Sequence, residues 1–155
     1  MNVILIDEND LIDQKTAVLT GRRHQHLVSI LKAQKGGTFK AGLINGPLGR
    51  AVVLEINEER AVLAFCYEKD PAPKIPLTVI SALPRPPVFR RMAAFLTAMG
   101  VEKMIFIQTA RVEKSYWNSP SLKEDHVRQS LILGLEQSGD TVIPEVNFSK
   151  HFKSF

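Results

Sequence analysis

Residues 76–112 read PLTVISALPRPPVFRRMAAFLTAMGVEKMIFIQTARV, and this stretch decides the fold. Residues 77–83 form a short apolar run bounded by prolines, which predicts a strand buried on both faces. The following prolines suit the first turn of a helix, because the N–H groups of that turn have no partner within the helix. Apolar side chains then recur at helical spacing and predict one buried face, made by Val88, Met92, Phe95, Leu96 and Met99.

A second strand follows this helix. Gly100 stands where a glycine commonly ends a helix, and residues 103–108 are again mostly apolar. A strand, a helix and another strand within ~30 residues predict a right-handed βαβ unit with parallel strands. We therefore expect the second half of the chain to be an α/β domain.

Composition narrows the class of protein. The chain has 155 residues, enough for one ordinary domain or two small ones, and its 45% hydrophobic and 23% charged residues are typical of a globular protein. It has no apolar run of membrane-spanning length, and we expect its N-terminal residues not to be a signal peptide, because they have no basic region and no cleavage site. The single cysteine, Cys66, is interpreted as a small core residue in a reducing compartment, hence the cytoplasm. A net charge of +4 mildly favours a polyanionic partner.

The first half of the chain is rich in predicted strands. Five short strands, at residues 2–6, 16–20, 39–44, 50–56 and 60–67, predict a small barrel or sandwich. One helix is predicted within them, over residues 21–34, with Leu27, Ile30 and Leu31 as its apolar stripe. The linker-like residues 70–74 place a domain boundary between 1–70 and 71–155.

The end of the chain predicts an unfinished sheet. A Ser-Pro cap opens a predicted third helix over residues 119–138, followed by a strand at 142–146 and the beginning of a helix over 148–155. Three parallel strands with two helices would leave apolar surface exposed, near Ile80, Ile105 or Val142. We therefore expect further chain, or a partner chain, to cover the sheet.

No standard catalytic motif is present in the sequence. It contains no glycine-rich phosphate loop and no nucleophile elbow. His24 and His26 would diverge by about 200° on a helix, so they are poor partners for one metal ion. From the residues alone, the chain is a basic, strand-rich module followed by part of an α/β domain.

Four segments together resemble the RsmE family of small-subunit ribosomal RNA uridine methyltransferases. RHQHLVSILKAQKGG (23–37) is similar to the family's His-x-x-x-Val-Leu-Arg helix, and LTVISALPR (77–85) to the first strand of its SPOUT domain. FLTAMGVEKMIFIQTARV (95–112) resembles the family's Glu-Leu-Gly-Val segment and the strand after it. EQSGDTVIPEV (136–146) resembles its Glu-Gln-Ser-x-Arg stretch before Pro-Glu.

The chain also departs from the family pattern. Lys32 stands where the family has arginine, Ala98 and Met99 replace the usual Glu-Leu, and Asp140 replaces an arginine. The lysine usual after the first SPOUT strand is absent, and Arg85 is the nearest basic residue. The family's glycine-rich cofactor loops lie beyond the equivalent of Phe155, so we expect this chain to hold no complete cofactor site.

The resemblance implies a fold and an activity. The fold would be a PUA-like β-barrel followed by a partial SPOUT domain with a parallel sheet. The activity would be S-adenosylmethionine-dependent methylation of uridine N3 in 16S ribosomal RNA, with the small ribosomal subunit as partner and a homodimer as the complete form. The alternatives are a non-catalytic RNA-binding adaptor and a structural fragment that binds a partner chain. No catalytic residue and no metal site are assigned.

Six basic residues are candidate RNA contacts, in two clusters: Arg22, Arg23 and Lys32, and Arg85, Arg90 and Arg91. The second cluster follows the carboxyl end of a strand, where open α/β sheets bind ligands. The competing interpretation of both clusters is an ordinary solvated surface. Glu136 and Gln137 are expected near the same edge of the sheet, and Tyr116 and Trp117 either pack against the sheet, which is favoured, or stack on bases.

Overall fold

The structure, a computed structural model, describes residues 2–150 and shows two compact units. Unit 1 comprises the residues up to Pro71 together with Gly139–Thr141, and unit 2 comprises Ala72–Ser138 and the residues from Val142 onward. Within unit 1, the Thr141 hydroxyl donates a 2.6 Å hydrogen bond to the carbonyl of Gly46. The single linker-like segment in the sequence does not predict this return of the chain to unit 1.

Unit 1 is built on one five-stranded sheet in the order β1-β3-β4-β5-β2. Its elements are β1 (Ile4–Ile6), β2 (Thr16–Leu19), α1 (Gly21–Ser29), β3 (Thr38–Leu43), β4 (Leu48–Ile56) and β5 (Ala61–Lys69). Strand β1 pairs in parallel with β3, and the other pairs are antiparallel. The expected barrel is not seen, because β1 and β2 lie at opposite edges and do not pair with each other.

Alternation along the strands builds the core of unit 1. On β5, Leu63 and Phe65 are buried, so Cys66 points to the other face and is exposed. The interpretation of Cys66 as a core residue is therefore wrong, because strand alternation places it outside.

Helix α1 is shorter than the sequence predicts. It ends at Ser29 rather than residue 34, and Lys32 then adopts a positive φ of 50°, which a helix cannot continue through. Of the predicted stripe, only Leu27 is buried, whereas Ile30 is 67% exposed.

Unit 2 contains the predicted βαβ unit. Strands β6 (Ile75–Ala82), β7 (Val101–Ile107) and β8 (Glu145–Ser149) form a parallel sheet with β7 in the centre. Helix α2 (Pro86–Ala98) connects β6 to β7, and α3 (Glu124–Ser138) precedes β8. The Ser119-Pro120 pair does not open α3. It caps a separate 3₁₀ turn at Pro120–Leu122, because Lys123 is extended and interrupts the helix.

One face of this sheet packs against both helices. Phe89 of α2 meets Phe106 of β7 edge to face at 5.0 Å, and Phe106 stacks on Phe148 of β8 at 5.8 Å. The helices cross closely at Gly134, where a Cβ would overlap the carbonyl oxygen of Ala94.

Two predictions about burial in unit 2 are wrong. The buried row of α2 is Phe89, Ala93 and Thr97, whereas Phe95 and Met99 of the predicted face are more than 60% exposed. Strand β6 is not buried on both faces, because both helices pack on one face and Ile80 on the other is 50% exposed. This confirms the expected exposure at Ile80, whereas Ile105 and Val142 are partly buried.

The end of the described chain is a strand. Phe148 and Ser149 belong to β8, so the helix predicted to begin there does not, and residues 151–155 of that prediction lie outside the described residues. Within residues 2–150, no helix combines the length and apolar character needed to cross a membrane.

Candidate nucleic-acid interface

Polar residues gather at the carboxyl ends of the parallel strands of unit 2. Strand β6 ends at Ala82, and Arg85 follows as the N-cap residue of α2. Beyond the end of β7, a pocket of about 380 Å³ is lined by Gln108, Lys114, Trp117, Asn118 and Lys150. We call it the edge pocket. Its position is the one at which open parallel sheets bind ligands.

Gln108 organises this pocket. Its Nε2 donates hydrogen bonds to the carbonyl oxygens of Thr109 at 2.8 Å and Val112 at 2.9 Å, while its Oε1 accepts one from Trp117 Nε1. The Lys150 ammonium lies 5.6 Å from the centre of the Trp117 ring, a cation–π distance. The amide thus orients the indole ring, and the packing interpretation of Trp117 is confirmed, since the ring lies against the core of unit 2.

Tyr116 lies close to Arg85 and Glu113. Its hydroxyl donates a hydrogen bond to Oε1 of Glu113 at 3.3 Å. Desolvation raises the pKa of the Tyr116 phenol and the Glu113 carboxylate raises it further, against the opposing charge of Arg85. The phenol therefore stays protonated at neutral pH and suits a hydrogen-bond donor rather than a proton acceptor.

Arg90 and Arg91 are exposed on the outer side of α2. They line a groove of about 560 Å³ between α2 and α3, together with His126, Gln129 and Ser130. The His126 ring donates from Nδ1 to the carbonyl of Pro120 at 2.8 Å, because a carbonyl oxygen can only accept. Its Nε2 is then available to face the groove as a polar group.

The first cluster of predicted residues does not act as one patch. Arg23 places its guanidinium on the Asp10 carboxylate, with Nη2 2.7 Å from Oδ1, and Nη1 donates to the Leu5 carbonyl at 2.9 Å. Arg22 and Lys32 are exposed, Lys32 in the loop after α1. Arg23 thus connects α1 to β1 through these contacts, while the side chains of Arg22 and Lys32 are accessible to solvent.

The structure also places residues that sequence reasoning missed or misplaced. Gln108, Lys114 and Lys150 were not selected, although Gln108 and Lys150 directly follow the ends of β7 and β8. Glu136 is buried near the carboxyl end of α3, with Gln137 exposed beside it. The carboxyl end of α3 leads to the amino end of β8, whereas Arg85 follows the carboxyl end of β6. Glu136 and Gln137 therefore lie at the opposite edge of the sheet from Arg85, and their expected position is wrong. Among residues 2–150, no three side chains are grouped to hold a metal ion.

Comparisons with known proteins identify the family. A family model described as an RNA methyltransferase domain matches residues 70–155, more than half of the chain. Ribosomal RNA small subunit methyltransferase E of Treponema pallidum is 31% identical over 158 residues, which cover all of this chain and 59% of that protein. The chain belongs to the RsmE family.

Two further comparisons agree with this result, one in sequence and one in fold. Ribosomal RNA small subunit methyltransferase E 1 of Borreliella burgdorferi is 30% identical over 99% of this chain and 63% of its own length. The crystal structure of the Neisseria gonorrhoeae enzyme, bound to S-adenosyl methionine, has the same fold, with a TM-score of 0.72 at 17% identity over 96% of this chain and 62% of that one. The chain thus spans about three fifths of the length of these RsmE relatives.

Proposed function

We propose that this protein takes part in the S-adenosylmethionine-dependent methylation of a uridine at N3 in 16S ribosomal RNA, in the cytoplasm. RsmE family membership carries the proposal, since the relatives that match the whole chain are named as small-subunit ribosomal RNA methyltransferases. The small ribosomal subunit is then the proposed partner.

The edge pocket supports the RNA side of the proposal. Its volume of about 380 Å³ suits one base, and Arg85, Lys114 and Lys150 bring positive charge to this edge. Uracil N3 must lose its proton before it can accept a methyl group. Fixed cations at the edge would stabilise the resulting negative charge on the base.

The six basic residues selected from the sequence take different roles in this proposal. Arg22 and Lys32 of unit 1, and Arg85, Arg90 and Arg91 of unit 2, contact RNA phosphates, while Arg23 acts indirectly by holding α1. Phosphate contacts supply affinity and orientation without reading the base sequence.

The edge pocket does not fit S-adenosylmethionine by itself. Lys114 and Lys150 line the edge pocket, and their positive charges would repel the sulfonium group. We propose that the cofactor contacts lie in parts of the family fold without a counterpart in residues 2–150. Residues 1–155 alone should then bind no S-adenosylmethionine in calorimetric titration and should be inactive. Stoichiometric, micromolar binding would contradict this.

A homodimer is part of the same proposal. Ile80 is half exposed on the sheet face that points away from α2 and α3, and exposed apolar surface on a parallel sheet favours association. Sedimentation of the protein should show self-association that an Ile80→Lys change reduces. A strictly monomeric protein at high concentration would count against the dimer.

Deleting the gene tests the proposed activity. A methyl group on N3 blocks base pairing, so it stops reverse transcriptase at that nucleotide. Cells without the gene should lose one such stop in 16S ribosomal RNA, and the intact gene should restore it. An unchanged stop pattern, with RNA binding retained by the protein, would instead favour the non-catalytic adaptor.

A further inference from the structure

The outer face of the unit 1 sheet carries basic side chains on three adjacent strands. Lys40 of β3 lies directly opposite Arg50 of β4 in the strand register, and Lys69 ends β5 beside them. Like charges directly opposite each other on a sheet destabilise the fold. The positive charges of Lys40 and Arg50 therefore repel each other, and a bound anion would reduce this repulsion.

A β-bulge shapes this part of the sheet. The β4–β5 register steps from Gly49 opposite Tyr67 to Leu48 opposite Lys69, so Glu68 has no partner of its own. The bulge brings Oε1 of Glu68 to 3.2 Å from Nε of Arg50. Bulges of this kind often redirect side chains next to functional sites.

One carboxylate cannot balance the three cations. Glu68 and Arg50 are both at least half exposed, so their ion pair is well screened by solvent. The side-chain ammonium groups of Lys40 and Lys69 form no hydrogen bond or ion pair with any residue in the described part of the chain. The cluster Lys40, Arg50, Glu68 and Lys69 therefore keeps a net charge of +2.

Backbone packing holds the cluster in place. A Cβ at Gly49 would overlap the carbonyl oxygen of Cys66, so only glycine lets β4 approach the bulged strand this closely. The three basic residues border a concave site of about 200 Å³, with Leu48 and Gly49 at its base. Its cations are thus mounted on paired strands rather than on a loose loop.

We propose that this cluster is a phosphate-binding site for the RNA backbone. The inference rests on the proposed function, because that function supplies the RNA. A concavity of about 200 Å³ is smaller than most small-molecule sites but admits a phosphodiester group of a chain passing over the sheet. The site contacts one or two phosphates, adds affinity, and does not read the base sequence.

The test compares two double variants with the same loss of charge. Lys40→Ala/Lys69→Ala removes the unpaired cations of the cluster, and the control Lys15→Ala/Arg60→Ala removes two exposed cations elsewhere in unit 1. Filter binding of a 16S ribosomal RNA fragment is measured from 50 to 200 mM salt. The slope of log K against log salt should fall by about 1 to 2 in the cluster variant and by less than half of that in the control.

Thermal unfolding separates binding from a structural role. Removing Lys40 relieves the repulsion with Arg50, so the cluster variant should unfold at the same temperature as the natural protein or above it. Equal salt slopes in the two variants, or a lowered unfolding temperature in the cluster variant, would overturn the inference. The proposed function fails separately, if gene deletion leaves uridine methylation unchanged.

Discussion

The five-stranded sheet of unit 1 and the three-stranded sheet of unit 2 bury their apolar side chains in different ways. In unit 1, antiparallel strands alternate cleanly, so that Leu63 and Phe65 enter the core while Cys66 faces out. In unit 2, α2 and α3 both pack on one face of the parallel sheet, and the other face exposes Ile80. Parallel sheets are normally covered on both faces. Unit 1 is thus complete as a one-sided sheet, whereas unit 2 presents a face suited to further cover.

This contrast predicts unequal effects of apolar truncation within unit 2. Phe106→Ala should destabilise unit 2 by about 3–5 kcal/mol, because Phe106 is fully buried between Phe89 and Phe148. In dilute solution, where the protein is monomeric, Ile80→Ala should cost less than about 1 kcal/mol, since half of its side chain contacts solvent in the monomer. Denaturant unfolding with amide exchange in each unit measures both. Similar costs would show that the uncovered face is buried in solution.

Each unit has a glycine where two backbone segments pack closely, Gly49 in unit 1 and Gly134 in unit 2, and alanine substitutions compare the two contacts. Gly49→Ala should destabilise unit 1 by about 2–3 kcal/mol, because the new Cβ meets the backbone of a paired strand that cannot move alone. Gly134→Ala should cost less, since α2 and α3 can move apart as rigid rods, whereas paired strands cannot. Thermal unfolding of both variants gives the order, and a larger loss for Gly134→Ala would contradict the prediction.

Two arginine substitutions in unit 1 distinguish a structural role from RNA binding. Arg23→Ala should reduce stability by about 2 kcal/mol, because it leaves the Asp10 carboxylate without its bidentate partner. Arg22→Ala should leave stability nearly unchanged and weaken RNA binding uniformly across sequences, with a smaller salt slope. The joint change should lower the slope by about 1 if only Arg22 contacts phosphate, and by about 2 if Arg23 also does. Circular dichroism of each variant controls for folding.

The smallest expected effect concerns the uncovered face of unit 2 in acid. The Lys103 ammonium, 3.1 Å from Glu145, and the Asn147 amide lower the pKa of the Glu145 carboxyl from its ordinary value of 4.5. A carboxyl with a lowered folded pKa stabilises the fold above its unfolded pKa, and this contribution is lost as pH falls through the folded pKa. Glu145→Gln should therefore flatten the stability of unit 2 between pH 5 and strong acid. An unchanged pH profile would show that solvent screens the pair completely.

Errors in the sequence predictions share one cause. Spacing alone predicts the apolar stripe on α2, yet the buried row includes Thr97, whose hydroxyl donates a 2.7 Å hydrogen bond to the Ala93 carbonyl. Likewise, the Ser119-Pro120 pair predicts the start of α3, but it caps a separate 3₁₀ turn that ends at the extended Lys123. Local sequence patterns indicate where a helix can form and be capped. They do not indicate which of its faces a neighbouring helix or sheet will cover.

Local chemistry determined the order of elements and the βαβ unit, because proline turns, glycine stops and runs of apolar residues act within a few residues of chain. It also carried the resemblance to the RsmE family. Tertiary structure alone decided that Arg23 binds Asp10, that Gly139–Thr141 returns to unit 1, and that Gln108, Trp117 and Lys150 line one pocket. These are contacts between residues far apart in the chain, and their partners are set by register and packing rather than by sequence spacing.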